Sequence, residues 1–205
     1  MITLYTWATP NGHKVSIMLE ECALPYAVKK IDMEAGQNTE PWFVALNPNA
    51  KIPVLVDEQG PGGQPISLFG SGANLVYLAG KSGKFLPSSD HGKFDALQWL
   101  MFQMGGIGPM FGEAEHFVRQ TREPVAYAVD RYAKETARLY GVLEKRLADR
   151  EYLAVEYSIA DIATYPWVAR HELQGIDLAA YPAVRHWFEK IDARPAVKRG
   201  MAVPK

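Results

Sequence analysis

Apolar and polar residues alternate in short runs over residues 1–81 and then settle into long helical periods. Ile2-Thr3-Leu4-Tyr5-Thr6 reads as a strand, and Thr9-Pro10-Asn11 as a turn leading into a helix over residues 12–22. In that helix Val15, Met18, Leu19 and Cys22 follow the i, i+3, i+4, i+7 spacing of one buried face. Residues 26–31 read as a second strand and residues 40–46 as a short helix. Two further strands, 54–56 and 66–68, flank the turn-rich segment 57–65. Ser71 is the N-cap expected for a helix through Ala73, Leu75 and Leu78. The order β-α-β-α-β-β-α implies an α/β domain over residues 1–81, a mixed sheet with helices on its faces.

Residues 82–91 hold Gly83, Pro87, Ser88, Ser89 and Asp90 and have the composition of a linker. Beyond them no strand pattern follows, and residues 92–205 are expected to form an all-helical C-terminal domain. A helix over 94–104 should end at Gly105-Gly106, with a second break at Gly108-Pro109. From Pro124 to Leu147 the positions Val125, Val129, Tyr132, Thr136, Leu139, Leu143 and Leu147 step by three or four, giving one long amphipathic helix. Ser158 with Asp161 three residues later has the spacing of a capping box. A helix over residues 182–193 closes the domain. Neither an internal repeat nor a low-complexity tract is present.

Composition narrows the functional classes. Of the 205 residues 48% are hydrophobic and 22% charged, the balance of a folded globular chain rather than a disordered one. A formal net charge of −1 supplies no overall field for nucleic acid. The apolar stretches are interrupted well short of the ~18 residues of a membrane span, so neither nucleic acid nor membrane is an expected partner. The first residues lack the basic start and small-residue cleavage site of a secretion signal. The single cysteine, Cys22, excludes an internal disulfide framework and suits a reducing cytoplasm. No metal site is expected.

Two stretches carry a resemblance. Leu46-Asn47-Pro48-Asn49-Ala50-Lys51-Ile52-Pro53-Val54-Leu55-Val56-Asp57 and Ile66-Ser67-Leu68-Phe69-Gly70-Ser71-Gly72-Ala73 are similar to the two glutathione-site signatures of the glutathione transferase superfamily. Thr9-Pro10-Asn11-Gly12-His13-Lys14-Val15, residues 99–110 and Tyr157-Ser158-Ile159-Ala160-Asp161-Ile162-Ala163 resemble the nu-class bacterial members, relatives of the yeast nitrogen-regulator prion protein. The resemblance runs over nearly the whole chain. It implies a thioredoxin-like N-terminal domain and an all-helical C-terminal domain, the glutathione transferase fold, with glutathione as cosubstrate. A cytoplasmic homodimer is likewise implied. The second substrate, a small electrophile or disulfide, would lie near residues 104–110, His116 and Phe117.

Residue by residue the implication is specific. Ile52-Pro53 would be cis, presenting the Ile52 backbone to an extended peptide ligand, although an X-Pro bond at a strand start is ordinarily trans. Lys51, Ile52 and Pro53 are thereby expected at the glutathione site. Ser71 can simply begin a helix; a helix N-terminus also binds anions, and the γ-glutamyl carboxylate would sit there. A thiol becomes a nucleophile as thiolate, and helix N-termini and hydrogen-bond donors lower its pKa from ~8.5. Thr9 and Asn11, at such a helix start, are therefore the expected catalytic pair around the ligand sulfur, beyond any capping role. Arg131 matches a class arginine that would offset ligand carboxylates.

Cys22, well inside its helix and on the apolar face, reads as a buried inert thiol. With no Cys-x-x-Cys motif, the resemblance implies disulfide reduction by bound glutathione thiols, with weak conjugating activity beside it. Two positions depart from the family. Gly70 stands where an acid usually pairs with the γ-glutamyl ammonium. A hydrogen bond to a charged group is worth ~1.5–3 kcal/mol, so its loss predicts binding weaker by about ten- to a hundredfold. Asn38 stands where the class tends to have Gln, one methylene longer, near the glycyl end of the ligand. A non-catalytic binding or regulatory relative, an enzyme of this fold with another chemistry, and an oxidoreductase using Cys22 remain the alternatives.

Overall fold

The structure, a computed structural model, describes residues 1–120 and 125–204. Four strands form one sheet: β1 (Ile2–Thr6), β2 (Tyr26–Lys30), β3 (Val54–Asp57) and β4 (Ile66–Phe69), in the order β2-β1-β3-β4. β1 runs parallel to β2 and antiparallel to β3, and β3 runs antiparallel to β4. The parallel β1–β2 pair needs a crossover, and α1 (Pro10–Cys22) supplies it. α2 (Pro41–Leu46) and α3 (Ser71–Ser82) follow β2 and β4. The result is the expected βαβαββα arrangement.

Local chemistry explains most boundaries. In α1 the stripe Val15, Met18, Leu19 and Cys22 is buried, as its period requires. Ala23, with φ +55°, ends that helix in a left-handed turn whose N–H returns to the last carbonyls. Leu4, Val54 and Leu55 fill the middle of the sheet, and Ile31 and Phe43 pack with Val54 beside it. Asp57, at the end of β3, accepts hydrogen bonds from Tyr77 Oη at 2.6 Å and pairs with Lys81 Nζ at 2.8 Å, which fastens α3 to the sheet.

The chain divides into two compact units, one of residues 1–84 with 194–205, the other of residues 85–193. The second is helical: α4 (Asp90–Phe102), α5 (Gly108–Glu115), α6 (Ala126–Leu147), α7 (Ile159–Val168) and α8 (Pro182–Asp192). Ser158 and Asp161 form the expected capping box at the start of α7, and Asp161 also accepts from Leu153 N–H and Trp187 Nε1–H, both at 2.9 Å. Pro124, read as the first residue of the long helix, lies outside the described residues. Thr136, Leu139, Leu143 and Leu147 of that stripe are buried, whereas Val125 is exposed just ahead of α6.

Two expectations are corrected. The glycines at 105, 106 and 108 and Pro109 do not break the chain between α4 and α5. A wide helical turn over Gln103–Ile107 connects the two helices. Such a turn closes hydrogen bonds five residues apart, here Gly108 N–H to the Gln103 carbonyl. Pro109 follows directly on that turn, at the start of α5. A Cβ on Gly106 would meet Leu139 and Phe102 at ordinary contact distance, whereas one on Gly108 would stand 3.1 Å from Gln103 Nε2.

The second correction concerns the end of the chain. A further helix, α9 (Pro195–Met201), follows α8 and packs on α1 rather than continuing the helical unit. Arg194 pairs with Glu21 at 2.6 Å, and Arg199 Nε donates to Glu20 at 2.6 Å. The first unit is therefore assembled from both ends of the sequence.

Candidate functional site

The register of the sheet brings three separate sequence motifs to one edge. Tyr5 of β1 lies opposite Val54 of β3, and Val54 lies opposite Phe69 of β4. The chain leaves β1 toward Thr9, enters β3 from Ile52-Pro53, and leaves β4 toward Gly70-Ser71, all at this edge. Strand direction alone thus gathers Thr9, Asn11, Ile52, Pro53, Gly70 and Ser71.

Thr9 is the N-cap of α1: its Oγ1 accepts from Gly12 N–H at 3.2 Å and its carbonyl accepts from His13 N–H at 2.9 Å. Pro10 and Asn11 form the first turn, with Asn11 half-buried. Gly12 is obligatory. A Cβ there would stand 2.4 Å from both Thr6 Oγ1 and the Trp7 carbonyl oxygen, so the helix start is pressed onto the strand end. Sequence reasoning did not single out Gly12 for packing; its place just inside a proline-started helix was the available signal.

The Ile52-Pro53 bond is cis, as expected. The loop before it is held by two asparagine side chains. Asn38 Nδ2 donates to the Ala50 carbonyl at 2.9 Å, and Asn47 Nδ2 donates to the Lys51 carbonyl at 2.6 Å. Ala50 takes a positive φ of 52° within that loop. Asn38 thus uses its amide to shape the loop that carries Lys51 and Ile52. Lys51 itself is exposed.

At α3 the assignment of Ser71 as N-cap is corrected. Gly70 occupies that position, with φ +84°, and Ser71 is the first helical residue. A positive φ costs a residue with a Cβ roughly 1–2 kcal/mol, a penalty glycine escapes. Ser71 is buried, and its hydroxyl accepts from Lys14 Nζ at 3.3 Å. Lys14 is buried in α1, and that burial lowers its amine to about 7. The sequence shows lysine there but nothing of its burial.

Cys22 is buried, its Sγ 3.2 Å from Ser82 Oγ. Burial pushes the thiol up, which outweighs the opposite influence of Ser82 and leaves it a poor nucleophile. Tyr5, half-buried on β1, packs beside Phe43 and Val54. In the helical unit Arg131 is exposed and borders a cavity of about 600 Å³ with Met110, Tyr132, Lys134, Glu135 and Arg138. Phe117 stacks on Tyr132 at 5.3 Å in the same unit. Among the described residues no group of three His, Cys, Asp or Glu side chains is disposed to hold a metal ion, and no helix is long and apolar enough to cross a membrane.

Comparison with known proteins agrees with this geometry. Residues 8–79 match the family model described as the glutathione S-transferase N-terminal domain, and residues 97–195 match that of the C-terminal domain. The chain is 48% identical over 203 residues to the disulfide-bond oxidoreductase YfcG of Escherichia coli K12, covering 98% of this chain and 94% of that protein. A glutathione transferase from Pseudomonas putida, solved with one glutathione disulfide bound per subunit, superposes with a TM-score of 0.95 at 44% identity, covering all of this chain and 92% of the other. A family member from Pseudomonas fluorescens, solved with two glutathione molecules bound, gives a TM-score of 0.94 at 45% identity over 99% of this chain and 93% of the other. By sequence, fold and the placement of its motifs, this chain belongs to the glutathione S-transferase family.

Proposed function

We propose that the protein is a glutathione-dependent enzyme that reduces disulfides with the thiols of bound glutathione and conjugates electrophiles weakly beside that. The observation that carries this reading is the burial of Cys22, the chain's one cysteine, away from the sheet edge where the glutathione motifs converge. The reacting sulfur must then come from the ligand. The names of the relatives, one a disulfide-bond oxidoreductase and one solved with glutathione disulfide, support the same chemistry.

In this reading the cysteinyl sulfur of glutathione lies at the start of α1. The Thr9 hydroxyl and Asn11 amide stabilise its thiolate, helped by the α1 N-terminus. Lys51, Ile52 and Pro53 meet the peptide backbone, Asn38 supports its glycyl end through the loop, and Gly70-Ser71 receive the γ-glutamyl group. Arg131 supplies a cation for ligand carboxylates. One glutathione thiolate attacks a disulfide sulfur, forming a mixed disulfide and expelling one thiolate, which takes up a proton. A second glutathione thiolate then attacks the glutathionyl sulfur of the mixed disulfide, releasing the other thiol and glutathione disulfide. Two glutathione thiols are oxidised for each disulfide reduced.

In the same reading the protein is a nu-class enzyme that works in the cytoplasm as a homodimer. Phe94 and Met101, seven residues apart on α4, are 65% and 58% exposed, which supports a partner on that helix face. The deciding experiment measures glutathione-dependent reduction of a small disulfide by wild type, Asn11→Ala, Thr9→Ala and Cys22→Ala. Loss of at least tenfold in kcat/KM is expected for the first two variants, with Cys22→Ala active. Loss of turnover in Cys22→Ala alone would overturn the mechanism. Glutathione binding without turnover would favour a binding module, for which the missing acid at Gly70 is the specific observation.

A further inference from the structure

Ile52 is half-buried, and its N–H finds no hydrogen-bond acceptor among the described residues. Backbone N–H groups withdrawn from water are almost always paired, so an open one is a place kept for another acceptor. The two peptide groups ahead of it are both gripped by side chains. Asn38 Nδ2 donates to the Ala50 carbonyl at 2.9 Å, and Asn47 Nδ2 donates to the Lys51 carbonyl at 2.6 Å. Asn47, directly after α2, is 1% exposed and so offers a ligand nothing directly. Its Oδ1 accepts from Asn49 N–H at 2.9 Å, and its own carbonyl accepts from Ala50 N–H at 2.9 Å. An amide accepts at its oxygen and donates at its nitrogen, so one orientation of this side chain serves both Asn49 and Lys51.

We infer, resting on the placement of glutathione proposed above, that Asn47 is a positioning residue that aims the Ile52 N–H at the cysteinyl carbonyl of the peptide. The Lys51–Ile52 peptide bond is trans. In a planar trans peptide the C=O and the N–H point to opposite sides. With the Lys51 carbonyl turned onto Asn47, the Ile52 N–H is turned away from it and held there. Asn38 steadies the peptide before, at Ala50, whose φ of 52° bends the loop. The ligand has its sulfur at the start of α1 and its γ-glutamyl group at Gly70-Ser71. Its cysteinyl carbonyl, between the sulfur and the glycyl end, is then the acceptor nearest this loop. A donor held in place beforehand spares binding the entropy of ordering the loop. The effect falls on affinity, since the groups that stabilise the thiolate belong to α1.

The test titrates glutathione and γ-glutamylcysteamine, which lacks the cysteinyl carbonyl and the glycyl residue, against wild type, Asn47→Asp and Asn38→Ala. Asn47→Asp keeps, as the carboxylate, an acceptor for Asn49 N–H and loses the donor to Lys51. Its affinity for glutathione is expected to fall about tenfold, with that for γ-glutamylcysteamine changed by less than about twofold. In disulfide reduction KM for glutathione rises by a similar factor while kcat at saturation is retained. The Ile52 amide-proton resonance moves downfield when glutathione is added to wild type, and moves less in Asn47→Asp. Asn38→Ala should show the same selective loss, but smaller, because its bond lies one peptide further from Ile52. Where the buried carboxylate prevents folding, the neutral Asn47→Ala must show the selective loss in its place. Wild-type affinity for glutathione, equal losses for the two thiols, or a fall in kcat without a rise in KM would overturn the role of Asn47. A wild type that binds both thiols equally would instead sink the placement of the peptide at Ile52, and this inference with it.

Discussion

Ser16 Oγ donates to the carbonyl oxygen of Gly200 at 2.7 Å, a bond between residues 184 positions apart. It seats α9 against α1 so closely that a Cβ on Gly200 would lie 2.5 Å from Ile17 Cα and 2.6 Å from Ile17 N. These are backbone atoms, which cannot step aside as a side-chain tip can. Gly200→Ala is therefore expected to destabilise the protein by about 1–3 kcal/mol, the range of overpacked cores. Urea denaturation checks it. A midpoint within error of wild type would show that the two helices separate freely.

Gly70→Glu sets two effects against each other. The site has room, since nothing lies within 4 Å of a Cβ there, but φ is +84°. Stability should fall by roughly 1–2 kcal/mol from the backbone alone. Glutathione should bind about tenfold more tightly, because a carboxylate can pair with the γ-glutamyl ammonium. Calorimetric titration and thermal melting separate the two, and unchanged affinity would remove the supposed acidic anchor from the account.

Asp161 is the hub of the helical unit. Its carboxylate accepts from the backbone N–H of Leu153 and of Ser158 and from Trp187 Nε1–H. Asp161→Ala leaves those three buried donors without their acceptor, at about 1–3 kcal/mol each. The sum approaches the whole stability of an ordinary domain, ~5–15 kcal/mol. Soluble yield should drop sharply. Asp161→Asn, which keeps one acceptor oxygen, should fold but melt lower; near-wild-type melting of Asp161→Ala would contradict the hub assignment.

Lys14 should leave a mark on the pH dependence of stability. Burial lowers its amine from 10.5 to about 7 in the folded protein. Between those values the unfolded chain holds a proton that the native state lacks, so this group makes stability increase with pH. The slope is at most about 1.4 kcal/mol per pH unit. Lys14→Met should exceed wild type in stability by most below pH 7, with the gap closing toward pH 10. Denaturation curves at three pH values give the answer, and a constant gap would mean that the amine titrates normally in the fold.

The buried stripe Val15, Met18, Leu19 and Cys22, the Thr9 cap and the Ser158–Asp161 box could all be read from the chain itself. Each depends on residues within two helical turns of one another, where spacing and side-chain chemistry already decide the outcome. The family motifs could be read there too, but only the register of the sheet brings them to one edge. What spacing could not show was the identity of the α3 cap, since a Ser at a helix start looks like an N-cap until the φ of Gly70 is known. The glycines around 105–108 misled for a similar reason. A Gly-Gly pair reads as a helix end until the backbone hydrogen bonds that run through it, here over Gln103–Ile107, are known.

The sequence by itself determined the α/β character of the first part, the helical character of the second and the family of the chain. It also put Cys22, the one cysteine, on the apolar face of its helix and outside any Cys-x-x-Cys motif. Only the tertiary structure decided that the last residues return to the first unit, and that Lys14 is buried against Ser71. Both depend on contacts between segments distant in sequence. A lysine reads as a solvated charge until the helices that enclose it are in place.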